Sequence, residues 1–241
     1  MQTGIDLFSL MAGIVVRLNA AAAAPTFASI SELGLLGLGL IYGFKHAAEA
    51  DHLVAISTIV SEHKKLVRAA IVGALWGAGH TTSLVVVGAI VLALKIAIPE
   101  RIASWLEFAV ALMIIILGVM GLRKAISGRL DFHLHRPSYK VARIGIKPTI
   151  VGAVHGLAGS AALTLLVLTQ IRSPFLGLVY LAVFGVGSIL GMLLMSGLVG
   201  LPFVLSSRKL GGAHYRLQML AGALSVIFGV WYAYQTAART L

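Results

Sequence analysis

Residues 45–52 read KHAAEADH, which puts Lys45, His46, Glu49, Asp51 and His52 inside a stretch that is otherwise apolar from 33 to 60. An ionisable side chain in the middle of a membrane span costs about 2.5–3.5 kcal/mol even on the mildest scales. Five of them within eight residues must therefore line a hydrated or ligand-filled interior. Two imidazoles with two carboxylates suit borderline divalent cations such as nickel, cobalt or zinc, and suit alkali ions poorly. The chain has no Cys and no Met beside this cluster, which argues against a copper(I) site.

Spacing sets a condition on that chemistry. On a straight helix, residues six apart are separated by a rise of about 9 Å and point about 120° away from each other. His46 and His52 can grip one ion only if the helix unwinds between or before them, and Gly43 is placed to permit such a break. Otherwise one histidine binds while Asp51 or Glu49 orients a ligand from behind. Two further histidines fall at similar depth: His80, ending WGAGH, and His155, opening HGLAGSAALTL. His46, Glu49, Asp51, His52, His80 and His155 are thus the candidate metal-binding residues, with no catalytic residue among them. His63 and His214 are expected at the surface, and His133 and His135 in a solvated basic loop.

The elements that must position these groups follow from composition. Of 241 residues, 59% are hydrophobic and 11% charged, and the mean hydropathy is +0.98. Soluble domains are about 25% charged, so an ordinary soluble enzyme is excluded. The absence of Cys also removes disulfides, thiolate metal sites and Cys nucleophiles. Apolar runs at about 33–60, 69–98, 104–122, 148–169, 174–204 and 217–237 predict an all-α polytopic membrane protein of six transmembrane helices. Residues 1–30 are expected to be an interfacial or partly ordered lead-in, since the apolar run 7–16 is too short to span and lacks a basic flank. Residues 31–237 then form one transmembrane domain.

The formal charge of +11 is not read as a nucleic-acid signal. Lys and Arg concentrate in the connections after the first, third and fifth spans, at 64–68, 123–147 and 208–216. The positive-inside rule places those connections in the cytoplasm and both termini outside, with 123–147 as a basic cytoplasmic loop. The chain also repeats weakly. His46 aligns with His155 at an offset of 109, WGAGH at 76–80 with FGVGS at 184–188 at 108, and LGVMGLRKA at 117–125 with FGVWYAYQT at 228–236 at 111. Halves of about 33–122 and 148–237 form a 3+3 repeat. An odd number of spans inverts the second half relative to the first, an architecture used by transporters.

The string from His46 to His52 resembles the H-x-x-x-x-D-H signature of the nickel/cobalt transporter (NiCoT) superfamily. GHTTSLVVV from Gly79 is similar to that superfamily's second signature, and VHGLAGSAALTLL resembles its shorter, urease-accessory (UreH-like) branch. The resemblance covers about 200 residues. It implies a secondary transporter of Ni2+ or Co2+ in the cytoplasmic (inner) membrane, with His46, Asp51, His52 and His80 matching the family's metal-binding residues. The substrate is a divalent metal ion, the surroundings are a lipid bilayer, and no prosthetic group or nucleic acid is implied. One feature departs from the full-length permeases, which carry acidic motifs in their later helices. The fourth and fifth spans contain no Asp or Glu, so a bound dication must be balanced mainly by Asp51 and Glu49. No long His-rich stretch of the kind expected in efflux relatives occurs, which favours uptake over export. No Walker-type run occurs, so no ATPase partner is evident. Export by the same fold, a membrane-embedded zinc metalloenzyme with Glu49 as general base and a non-transporting assembly subunit are the alternative readings.

Overall fold

A computed structural model describes residues 32–96, 98–130, 145–171, 173–209 and 211–240. The lead-in 1–30, with His133 and His135, lies outside these residues. Among the described residues the secondary structure is helical, in seven segments: α1 (Glu32–His46), α2 (Ala50–Val60), α3 (Leu66–Leu94), α4 (Glu100–Leu130), α5 (Ile146–Gln170), α6 (Pro174–Lys209) and α7 (Gly211–Thr240). α4 continues through Leu130, so 123–130 is helix rather than loop.

Burial is arranged for a lipid solvent. Ile71, Ile90, Ile116, Leu194, Leu198 and Ile227 are exposed on the outside, while His52, His80, His155, Ser188, Ser196 and Ser225 are buried within. α3, α4, α6 and α7 are each long and apolar enough to cross a membrane. An apolar exterior around a polar interior is favourable when hydrocarbon replaces water outside. The chain is a helical membrane protein.

The expected first span is two helices, which is why the structure has seven helices where the hydropathy pattern predicts six. α1 stops at His46, and Glu49 adopts an extended backbone (φ −66°, ψ 151°) before α2 begins. The carbonyls of Lys45 and His46 accept the N–H groups of Ala48 (2.9 Å) and Glu49 (3.0 Å), which tightens the last turn of α1. Lys45 and His46 fall in that last turn and Asp51 in the first turn of α2. Cations near a helix C-terminus and anions near an N-terminus both complement the helix dipole, so the charge order favours one helix ending and another starting. The break is therefore at Ala47–Glu49 and not at Gly43, which is helical.

Gly43 instead permits close packing. A Cβ there would collide with the carbonyl of Phe184, and one on Gly152 would collide with the carbonyl of Trp76. Gly187 meets the carbonyl of Leu40, and Gly79 that of Thr149. Each contact has a counterpart: 43 and 152, like 40 and 149, differ by 109, while 76 and 184, like 79 and 187, differ by 108. Gly118 against Gly222 and Gly229 against Ala111 are related in the same way at 111. Through these seams α1 runs parallel to α6, α3 runs parallel to α5, and α3 is antiparallel to α6 through Gly73, Gly77 and Gly185. α5 therefore runs opposite to α1.

Alanine substitution tests the seams. Gly43→Ala and Gly152→Ala should each destabilise the protein by about 1–3 kcal/mol through overpacking, read as a lowered Tm of the purified chain. Gly37→Ala, whose Cβ would meet nothing within 4 Å, should leave Tm unchanged or raise it.

Candidate metal centre

The break brings the first cluster together. His46 closes α1, Asp51 and His52 open α2, His80 comes from the middle of α3 and His155 from α5. The imidazole centroids of His46 and His52 are 4.5 Å apart, and that of His80 lies 5.1 Å from the first and 5.3 Å from the second. One nitrogen from each of these three rings lies within 4.8 Å of the others. Donors held by one zinc ion at about 2.1 Å lie no more than about 4.2 Å apart, so slight closure of the side chains would suffice.

The carboxylates stand behind the rings. Nδ1–H of His46 donates to Glu49 (2.9 Å), and Nδ1–H of His52 donates to Oδ1 of Asp51 (3.1 Å), which also accepts the backbone N–H of His52 (2.9 Å). A proton held on Nδ1 leaves the lone pair on Nε2, the atom free to bind a cation. Nε2 of His46, Nε2 of His52 and both nitrogens of His80 are buried without a hydrogen-bond partner. Buried polar atoms are nearly always paired, so four orphans in one place mark a site built to receive something.

His155 is placed differently. Its Nε2–H donates to Oδ2 of Asp51 (2.8 Å), so Asp51 bridges His52 on α2 and His155 on α5. Asp51, His52 and His155 form a second group whose donor atoms lie within 4.8 Å of one another. The His52 and His155 rings are 4.0 Å apart. All six residues singled out in the sequence thus meet in one place. Glu49 is the most exposed of them at 55%, against 21% for Asp51 and 2–3% for the His52 and His155 side chains.

Two aromatic residues that the charged pattern does not announce wall the centre. Trp76 stacks on His52 (5.9 Å, 16°) and lies 5.7 Å from His155, and Phe184 is 5.5 Å from His46. Trp76 precedes His80 by four residues and shares its helix face, the one signal that could have found it. A Cβ on Gly159 would lie 3.8 Å from His46 and His80, so this glycine leaves the rings room.

Three further basic groups among the described residues lie outside this group of rings. Lys45 is exposed. His63, in the turn after α2, is half-buried, and desolvation pushes its imidazole below the ordinary value against the opposing pull of Glu62. Glu62 itself pairs with Lys124 (2.5 Å). His214, expected at the surface, is buried with its Nδ1 3.2 Å from the carbonyl of Phe203 and 3.4 Å from Ser206, where it fastens α7 to α6.

The chain is thus a helical membrane protein whose interior gathers four imidazoles beside two carboxylates that could hold a metal ion. Among curated proteins it is 38% identical over 209 residues to the urease accessory protein UreH of Bacillus sp. (strain TB-90), spanning 84% of this chain and 91% of that protein. The chain belongs to the UreH family, and its relative there is an accessory protein rather than an enzyme. It is also 30% and 29% identical to the Arabidopsis thaliana chloroplast proteins FOR GROWTH AND FERTILITY 1 and 2, over 74% and 64% of this chain, and it spans 54% and 44% of their lengths. No protein-family profile matches the chain, and no solved structure matches it.

Removing the bridging carboxylate should cost more than removing the exposed one. Asp51→Leu strands two imidazole N–H groups in the interior, each worth about 1–3 kcal/mol, whereas Glu49→Leu frees one at the edge. Thermal unfolding of the purified variants should show the larger Tm loss for Asp51→Leu, and equal losses would contradict the bridge.

Proposed function

We propose that the chain is a secondary transporter that carries Ni2+ or Co2+ inward across the cytoplasmic membrane. The observation that carries this reading is the convergence of three imidazoles whose buried nitrogens have no partner, at the break between α1 and α2. His46 and His52 bind through Nε2 and His80 completes the set. Glu49 and Asp51 fix the rings and offset the charge of the dication, and His155 holds Asp51 in place. All-nitrogen donors suit borderline transition ions and reject Mg2+ and Ca2+, which take oxygen. Membership of a family that includes a urease accessory protein supports nickel as the cargo, since supplying metal is one way to assist a metalloenzyme.

The architecture in this reading is a 3+3 inverted repeat of six spans, the first divided into α1 and α2. The reciprocal glycine contacts and the opposed directions of α1 and α5 support it. The centre then lies between the two halves, where rocking of one against the other opens it to alternate sides. The basic connections face the cytoplasm and both termini face outward. No prosthetic group and no ATPase partner are required.

Uptake of Ni2+ by intact cells tests the assignment. His46→Ala, His52→Ala and His80→Ala should each lower uptake at least tenfold, and parental uptake by all three would refute the site. Expression in a strain without its own exporters should sensitise it to Ni2+, whereas protection would reverse the direction. Binding to the purified chain should weaken as pH falls, because only unprotonated imidazole coordinates a metal.

A further inference from the structure

Among the described residues, the centre is closed by tight packing toward α5 and α6 and bordered by a cavity toward α7. Toward α6, Gly43, Gly187 and Gly191 bring backbone against backbone, and toward α5, Gly79, Gly152 and Gly156 do the same against α3. The second half of α2 is closed against α7 by polar contacts: Thr58 with Ser225 (2.6 Å), Ser225 with the Val54 carbonyl (3.1 Å) and Gln218 with the Ser61 carbonyl (2.7 Å). Above those contacts, where α2 begins, a cavity of about 420 Å³ separates α2 from α7. Glu49 and Asp51 form its inner wall, and Phe228, Trp231, Tyr232 and Gln235 form its outer wall.

The two carboxylates of this cavity are the ones that hold His46 and His52. An ion that reached them would be one side-chain length from the unpartnered Nε2 atoms. The cavity also lies at a recognisable level of the membrane. Trp231 and Tyr234 on α7 and Trp105 near the start of the antiparallel α4 are more than half exposed at the same end of the bundle. Exposed Trp and Tyr gather where hydrocarbon meets headgroups, so the mouth of the cavity opens at an interface.

Building on the transport reading, we propose that this cavity is the port by which a hydrated divalent cation reaches the imidazole centre. Glu49 meets the ion while it still carries water, and Gln235 and Trp231 form the mouth. The oxygen groups hold the ion through its hydration shell, and the imidazoles then replace water as it moves inward. Order of contact gives the port a selective role: any dication can be met at the carboxylates, but only one that accepts nitrogen donors in exchange for water continues.

The chain contains no Cys, so a single introduced thiol can be labelled without altering the background. In purified full-length Gln235→Cys, Ni2+ association is followed by stopped-flow quenching of tryptophan fluorescence, before and after modification with a bulky cationic methanethiosulfonate. The label should slow association at least tenfold while the final equilibrium quenching stays within twofold. The same label on Ser127→Cys, exposed at the opposite end of α4, should change neither quantity. An unchanged rate in fully modified Gln235→Cys would show that the ion arrives by another route and overturn the port. Absence of Ni2+ binding by the unsubstituted chain would instead overturn the transport reading on which the port rests.

Discussion

Interrupting a helix in the interior of a membrane protein leaves backbone groups and charged side chains that hydrocarbon cannot solvate, and the break between His46 and Ala50 makes the surrounding structure answer for each of them. The carbonyls at the end of α1 take the N–H groups of Ala48 and Glu49 in a tightened turn, and the hydroxyl of Ser188 donates to the carbonyl of Gly43 (3.2 Å). Asp51 takes two imidazole N–H groups and a backbone N–H. Among the described residues, the buried atoms at this centre left without a partner are Nε2 of His46, Nε2 of His52, both nitrogens of His80, Nδ1 of His155 and Nε1 of Trp76. The geometry that solves the problem of the broken helix is the same geometry that prepares donors for a cation.

Close helix packing fixes where those donors meet. Glycines on α1 and α6 and on α3 and α5 let backbones touch, so His46, His80 and His155 are carried on elements with little freedom to separate. Trp76 shows how the two requirements are joined. Its carbonyl takes the close approach of Gly152, while its ring stacks on His52 and lies beside His155. Small residues at such seams are the ordinary device of membrane helix association. Here they also bring the rings of His46, His52, His80 and His155 within 4.0–6.0 Å of their neighbours.

Much of the centre was legible in the sequence because ionisable residues in apolar spans are costly and so stand out. His46, Glu49, Asp51, His52, His80 and His155 were all visible on that ground, and all six meet. The division of labour among them was not visible. Asp51 spends its oxygens on His52 and His155, a pairing between residues 104 positions apart that no local spacing encodes. Spacing requires a break between or before His46 and His52 if both bind one ion, and the break lies between them; Gly43, which could permit one, serves packing instead, because glycine signals both flexible backbone and close approach and the seam with Phe184 decides for packing. The true break, at Ala47–Glu49, contains neither Gly nor Pro, and its only local signal is the order of charges across it. His214 reads as a surface residue in the sequence because its partners, Phe203 and Ser206, become neighbours only once α6 and α7 pack.

The central claim is that imidazoles, held by carboxylates, form the inner shell of a transition-metal site. X-ray absorption spectroscopy of the Ni2+-loaded full chain reads that shell directly. The account predicts multiple scattering from three imidazoles, falling to two in His80→Ala, with no sulfur. A shell of oxygen alone, or one unchanged in His80→Ala, would contradict it.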